Sequence, residues 1–100
     1  MKVVIAGGGA VGTFIAGELH DAGHEVHLIE QDGDRVTRML AVGEPEGVTW
    51  HVADACEVSS LRGIGLSDAD VVASVTGDDE DNLVISLLAK QEFAVPRVVA

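Results

Sequence analysis

One hundred residues, 47% of them apolar, allow a single domain with a sizeable core and exclude a disordered chain. A net charge of −11, from 17 acids against 6 bases, excludes nucleic acid and anionic lipid as direct partners. No apolar run approaches the ~20 residues of a membrane span, and the single cysteine, Cys56, cannot close an intrachain disulfide, so a soluble cytosolic domain is expected.

Val3-Val4-Ile5-Ala6 is an unbroken aliphatic run of the kind buried on both faces of a parallel sheet. A helix is predicted from Ala10 to Ala22, stopped by Gly23, with Val11, Ile15, Leu19 and Ala22 as its inner stripe. A second strand follows at Glu25 to Glu30. After the turn Gln31-Asp32-Gly33-Asp34, Asp34 is expected to cap a short helix from Arg35 to about Ala41. Gly43, Pro45 and Gly47 break the chain before a third strand at Val48 to Ala53. One or two helical turns between Glu57 and Gly65 would carry Leu61 and Ile64 inward. A fourth strand at Val71 to Thr76 is entered through Ser67-Asp68-Ala69-Asp70. A last helix begins near Asp79 and ends before Val95-Pro96. Val98-Val99-Ala100 opens a fifth strand, and an unpaired edge there predicts that the domain continues beyond Ala100.

Strand–helix alternation implies a Rossmann-like, doubly wound parallel α/β sheet in the order 3-2-1-4-5, truncated in or after its fifth strand. The first strand is then central, and the switch point lies between strands one and four. In the last helix Leu83, Val84, Ile85, Leu87, Leu88 and Ala89 spread over roughly 240° of the circumference at ~100° per residue. A stripe packed on one sheet needs a little over ~100°, so a second covered face is expected, against another subunit or against further sequence.

The chemistry concentrates at the ends of these strands. Gly7, Gly9 and Gly12 have the Gly-x-Gly-x-x-Gly spacing between a strand and a helix, and Glu30 stands eighteen positions after Gly12. Gly7 permits the turn, Gly9 lets the backbone approach a phosphate, and Gly12 lets the helix pack close. Free N–H groups at Ala10, Val11 and Gly12 then receive a diphosphate without a basic side chain. Glu30, followed by Gln31, falls where a carboxylate accepts from both ribose hydroxyls and repels a 2′-phosphate, favouring NAD(H), ADP or ATP over NADP; the alternative is a solvated acid at a strand end. Arg35 and Arg38 either reach phosphates or form a solvated face. Asp54 has two readings, an acceptor from the adenine amino group or an ordinary cap, with Ala55 beside it offering backbone contacts to the base. Thr76 and Gly77 form the opposite wall through backbone groups. The acids Asp78 to Asp81 suit a first helical turn, with a cation or a subunit contact as the other uses. Cys56 reads as an unreactive small side chain, and His20, His24, His27 and His51 lack zinc-ligand spacing, so no metal site is expected.

Taken together, Gly7 to Gly12, Gly23-His24-Glu25-Val26, Glu30, Asp34-Arg35, Asp54-Ala55, Ala69 to Val72, Thr76 to Asn82 and Pro96 to Ala100 resemble the N-terminal nucleotide-binding domain of the TrkA family, also called RCK or KTN domains. The resemblance runs over essentially the whole chain. The glycine motif is shared with many dehydrogenases; the segment Thr76-Gly77-Asp78-Asp79-Glu80-Asp81-Asn82, with Asp54-Ala55, narrows the choice. Where the family commonly has Gly before the Asp-Ala pair, this chain has Ala53. The resemblance implies a cytosolic regulator of Trk/Ktr-type potassium uptake that dimerises, forms a ring against a membrane potassium channel subunit, and gates it when NAD(H), ADP or ATP binds the glycine loop. It also implies further elements and a C-terminal ligand-binding domain beyond Ala100.

A non-catalytic sensor works only through different affinities of the ligand for two assembly states. The alternative is the cofactor half of an NAD-dependent oxidoreductase, but no lysine, histidine or serine constellation is placed to transfer a proton. A third reading, an interaction module with a decayed site, is at odds with the intact glycines and Glu30.

Overall fold

A computed structural model describes residues 1–100. The chain alternates β1 (Lys2–Ala6), α1 (Ala10–Asp21), β2 (Glu25–Glu30), α2 (Gly33–Val42), β3 (Thr49–Val52), α3 (Val58–Ile64), a 3-10 turn (Leu66–Asp68), β4 (Val71–Ser74), α4 (Asp79–Gln91) and β5 (Arg97–Val99). The strands form one sheet in the expected order, β3-β2-β1-β4-β5, and every pairing is parallel. Val4 stands between His27 of β2 and Val72 of β4, so β1 is the central strand.

Side chains of β1 alternate between two apolar layers, as the period of two requires. Val3 and Ile5 pack with Val26, Leu28 and Ala16 of α1. Val4 and Ala6 pack on the other face with Ile29, Val72, Leu61 of α3, Leu66, and Ile85 and Ala89 of α4. Burying both faces explains why β1 is a continuous aliphatic run rather than an alternating one.

Three local readings are corrected. Val11 is 60% exposed and Ala22 is exposed; the inner face of α1 is Gly12 and Ala16, flanked by Ile15 and Leu19. Gly12 sets this rotation, because a Cβ there would be driven into the Gly7 carbonyl oxygen, and only a glycine can face the strand turn. Helix α2 starts two residues earlier than expected. Its cap is Asp32, whose carboxylate accepts from the Asp34 and Arg35 N–H groups at 3.0 and 3.2 Å, and Asp34 falls within the first turn. Strand β4 ends at Ser74 rather than Thr76, because the backbone beyond it turns to a side-chain partner. On α4, Ile85 and Ala89 are buried while Leu83, Val84 and Leu87 are 40–60% exposed.

Candidate functional site

The carboxyl ends of four strands are tied together beyond their regular ladders. The Gly7 N–H donates to the Ile29 carbonyl at 2.9 Å, Val75 N–H to Ala6 at 2.9 Å, and Ala53 N–H to Glu30 at 3.2 Å. Chain leaving β1 must turn at once, and Gly7 does so at φ +120°, a conformation open to glycine. Its missing side chain also leaves room for β4: an added Cβ would sit 2.9 Å from the Thr76 nitrogen and the Val75 carbonyl.

Above this platform opens a cavity of about 340 Å³. Gly7, Gly9, Glu30, Gln31, Arg35, Asp54, Ala55, Thr76 and Gly77 all line it, joined by Ala53, Cys56, Asp78 and Asp81. Residues from the ends of β1, β2, β3 and β4 thus converge on one crevice at the switch point, where ligands bind in open α/β sheets. Ala10, Val11 and Gly12 do not line the cavity with their side chains. They form the first turn of α1, whose N-cap is Gly9 and which no side chain caps. At α2 and α4, by contrast, Asp32 and Asp78 fill the equivalent position. The first-turn N–H groups of α1 are therefore left to solvent or to an anion.

Glu30 is 8% exposed and already engaged. Its Oε1 accepts from the Gly8 N–H at 2.9 Å and from Arg35 Nη1 at 3.2 Å, and its Oε2 accepts from the Asp32 N–H at 2.9 Å. A carboxylate has about four acceptor positions, so these bonds leave one, on Oε2. Arg35 pairs with Glu30, its side chain 44% exposed. Arg38 is exposed. Trp50 of β3 closes the back of this corner, its ring lying 2.8 Å from where a Cβ on Gly8 would be.

Asp54 holds its own loop, accepting from the Cys56 N–H at 2.9 Å, while its carboxylate stays on the cavity wall. Burial, with Asp81 and Asp54 nearby, pushes the Cys56 thiol up to about 11. Asp78 caps α4 by accepting from the Asp81 N–H at 3.0 Å. Among His, Cys, Asp and Glu, no group of three or more converges as a metal site would.

Two arrangements escape sequence reasoning. The first is the anchoring of Thr76 by Asn82, taken up below. The second lies on the α3 side of the sheet, where His27 and His51 stack with ring centroids 5.2 Å apart and an Nδ1–Nε2 hydrogen bond of 2.9 Å. His27 Nε2 lies 2.7 Å from Glu25 Oε2, and that hydrogen bond holds the Glu25 carboxyl below its ordinary range. Burial, then the charge of His27, lowers His51. The register that sets Ile29 beside His51 brings the rings together, and one strand's spacing alone does not reveal it.

No helix is long and apolar enough to cross a membrane. The TrkA-N domain profile matches residues 3–100. The chain is 52% identical over its full length to the Trk system potassium uptake protein TrkA of Mycobacterium tuberculosis, and 35% identical to a TrkA homolog of Methanothermobacter thermautotrophicus. It spans 44% of the length of each. Among solved structures, the NAD(P)-binding domain of an exopolyphosphatase-related protein from Archaeoglobus fulgidus superposes with a TM-score of 0.74 at 26% identity, over 91% of this chain and 65% of that one. The AMP-bound Kef C-terminal domain of Shewanella denitrificans shares the fold, with a TM-score of 0.78 at 19% identity over 99% of this chain and 56% of that one. Strand order, glycine turn and sequence agree, and the chain belongs to the TrkA-N domain family.

Proposed function

We propose that this chain is a nucleotide-sensing domain of a potassium uptake system, working in the cytoplasm at the inner face of the plasma membrane. It binds an adenine nucleotide in the crevice between β1 and β4, and occupancy is coupled to gating of a Trk/Ktr-type membrane channel subunit. The observation that carries the binding half is the uncapped first turn of α1, entered through Gly9, which lines one cavity with Gly7 and Glu30. Diphosphate takes the free N–H groups of Ala10, Val11 and Gly12. The ribose takes the open position on Glu30 Oε2, and its second hydroxyl displaces Arg35 from Oε1, freeing the guanidinium towards the phosphates. Adenine lies against Ala55 with Asp54 at its edge.

The far side of the cavity carries Asp78 and Asp81. Like charges weaken binding there, so NAD(H), with fewer negative charges than ADP or ATP, is the preferred ligand. The coupling half draws on relatives named for potassium uptake and 52% identical over this chain. Ligand that binds two assembly states unequally shifts their populations, and no catalytic step is needed. Homo-oligomers, a dimer and then a ring in the longer protein, supply those states.

Calorimetric titration with NAD, NADH, NADPH, ADP, ATP and AMP tests the binding half. The expected order is NAD(H) above ADP above ATP, with NADPH weakest. Ligand at one hundred times Kd should also stabilise the fold by about 2.7 kcal/mol. Binding of NADPH alone, or of none, overturns the reading. Rubidium flux through the channel subunit reconstituted with the full-length regulatory protein tests the coupling half, and a flux indifferent to nucleotide defeats it. Oxidation of NADH with a carbonyl substrate panel would instead favour an oxidoreductase.

A further inference from the structure

Backbone of the fourth strand runs out of partners before it reaches the crevice. The ladder to β5 ends at Ala73, and the last bond towards β1 is Val75 N–H to the Ala6 carbonyl. Thr76, the next residue, is part of the cavity wall yet has no strand beside it. The Asn82 side chain fills that role. Its Oδ1 accepts from the Thr76 N–H at 2.9 Å and from the Thr76 hydroxyl at 2.6 Å, and its Nδ2 donates to the Thr76 carbonyl at 3.1 Å. Donor and acceptor of one carboxamide thus meet donor and acceptor of one peptide residue, as a neighbouring strand would.

Asn82 is itself held. Its carbonyl accepts from the Ser86 hydroxyl at 2.7 Å and the Ser74 hydroxyl at 3.1 Å, and these two hydroxyls lie 2.9 Å apart. Ser74 is 1% exposed, so the anchor is set in the core beneath the sheet. On the opposite side, the Thr76 nitrogen occupies the space a side chain on Gly7 would need, 2.9 Å from where its Cβ would lie. A shift of Thr76 therefore reaches the glycine turn directly.

We propose that Asn82 is a positioning residue for the nucleotide site: its carboxamide fixes the Thr76–Gly77 wall and, through Thr76, the Gly7 turn that receives the diphosphate. This rests on the nucleotide-binding reading above. Asn82 lies in the first turns of α4, where a carboxylate is favoured by the helix dipole, so Asn82→Asp should fold. That variant keeps both acceptor bonds and sets an acceptor against the Thr76 carbonyl; Asn82→Ala removes all three bonds.

The test measures NADH and ADP affinity by calorimetry, with amide hydrogen exchange followed by NMR, on wild type and both variants. Asn82→Ala, which adds no charge, should weaken binding at least tenfold while the domain stays folded, and Asn82→Asp should also weaken it. In both, exchange should accelerate at Thr76 and Gly77 while Val72 in the same strand stays protected. A merely structural role would loosen Val72 together with Thr76. Wild type that binds while both variants bind equally well overturns the inference alone, as does faster exchange along all of β4. Wild type that binds no nucleotide overturns both the function and this inference.

Discussion

Substituting Gly9 by alanine separates a glycine kept for ligand from one kept for fold. Gly9 has φ −78° and ψ −166°, an extended conformation any residue adopts. An added Cβ would meet only Arg35 Nη1, at 3.9 Å, which is ordinary contact. Alanine is a poorer N-cap than glycine by up to about 1 kcal/mol, and its stiffer unfolded chain returns ~0.4–1 kcal/mol, so the net change is close to zero. Melting followed by circular dichroism should then shift by less than ~4 °C. Calorimetry should show a different outcome for nucleotide. On the proposed binding mode the methyl group would take space the phosphate needs, and overpacking of ~1–3 kcal/mol corresponds to roughly a 5- to 150-fold loss of affinity for NADH. Gly12→Ala is the control, since its Cβ meets the Gly7 carbonyl oxygen, backbone against backbone, and it should lose about 3 kcal/mol or more of stability. Unchanged NADH affinity in a folded Gly9→Ala protein would refute a diphosphate at this turn. A Gly9→Ala protein as unstable as Gly12→Ala would refute the structural half of the reasoning.

Glu30→Gln places an amide NH2 against an N–H donor whichever way it is turned, at Gly8 or at Asp32; denaturant unfolding should show a loss of about 1–3 kcal/mol, and ribose-bearing ligands should bind more weakly than to wild type. His51 has its pKa lowered in the fold, chiefly by burial, so the unfolded chain takes up its proton more readily; stability is full above about 6.5 and is lost as pH falls through the folded value. Urea midpoints between pH 8 and pH 5 should follow that trend, and His51→Asn should flatten it. Cys56, with its thiol raised to about 11 from 9.0, should react with iodoacetamide at pH 8 about tenfold more slowly than an unperturbed thiol, the scarcer thiolate being partly offset by its greater nucleophilicity, as read by mass spectrometry of the native protein; reaction at the unperturbed rate counts against the buried, acid-flanked setting.

Strand order and the position of the crevice are legible in the sequence because both follow from local pattern. Aliphatic runs alternate with helical stretches, right-handed crossovers leave few topologies, and the crevice forms at the reversal. What the sequence conceals depends on partners far along the chain or on competition between neighbours. Glu30 reads as a free acceptor, yet Gly8 and Arg35 reach it only after the chain has folded back. Asp32 and Asp34 compete for one cap, and Asp32 takes it by accepting from the Asp34 and Arg35 N–H groups. Val11 reads as inward because it is apolar; Gly12 displaces it, since closeness to the Gly7 carbonyl outweighs side-chain hydrophobicity at that position. The His27–His51 pair needs the β2–β3 register, which no single segment encodes.

Trp50 gives the domain a built-in optical reporter. It is the only tryptophan, there is no tyrosine, and the two phenylalanines emit too far into the ultraviolet to interfere, so the long-wavelength protein emission has one source. That source and the Glu30 side chain both flank Gly8, the corner where ribose would enter. Displacing Arg35 from Glu30 changes the field across the indole, so occupancy of the crevice becomes a change in intrinsic fluorescence. Stopped-flow mixing of unlabelled protein and nucleotide can then time the arrival of the ligand at that corner.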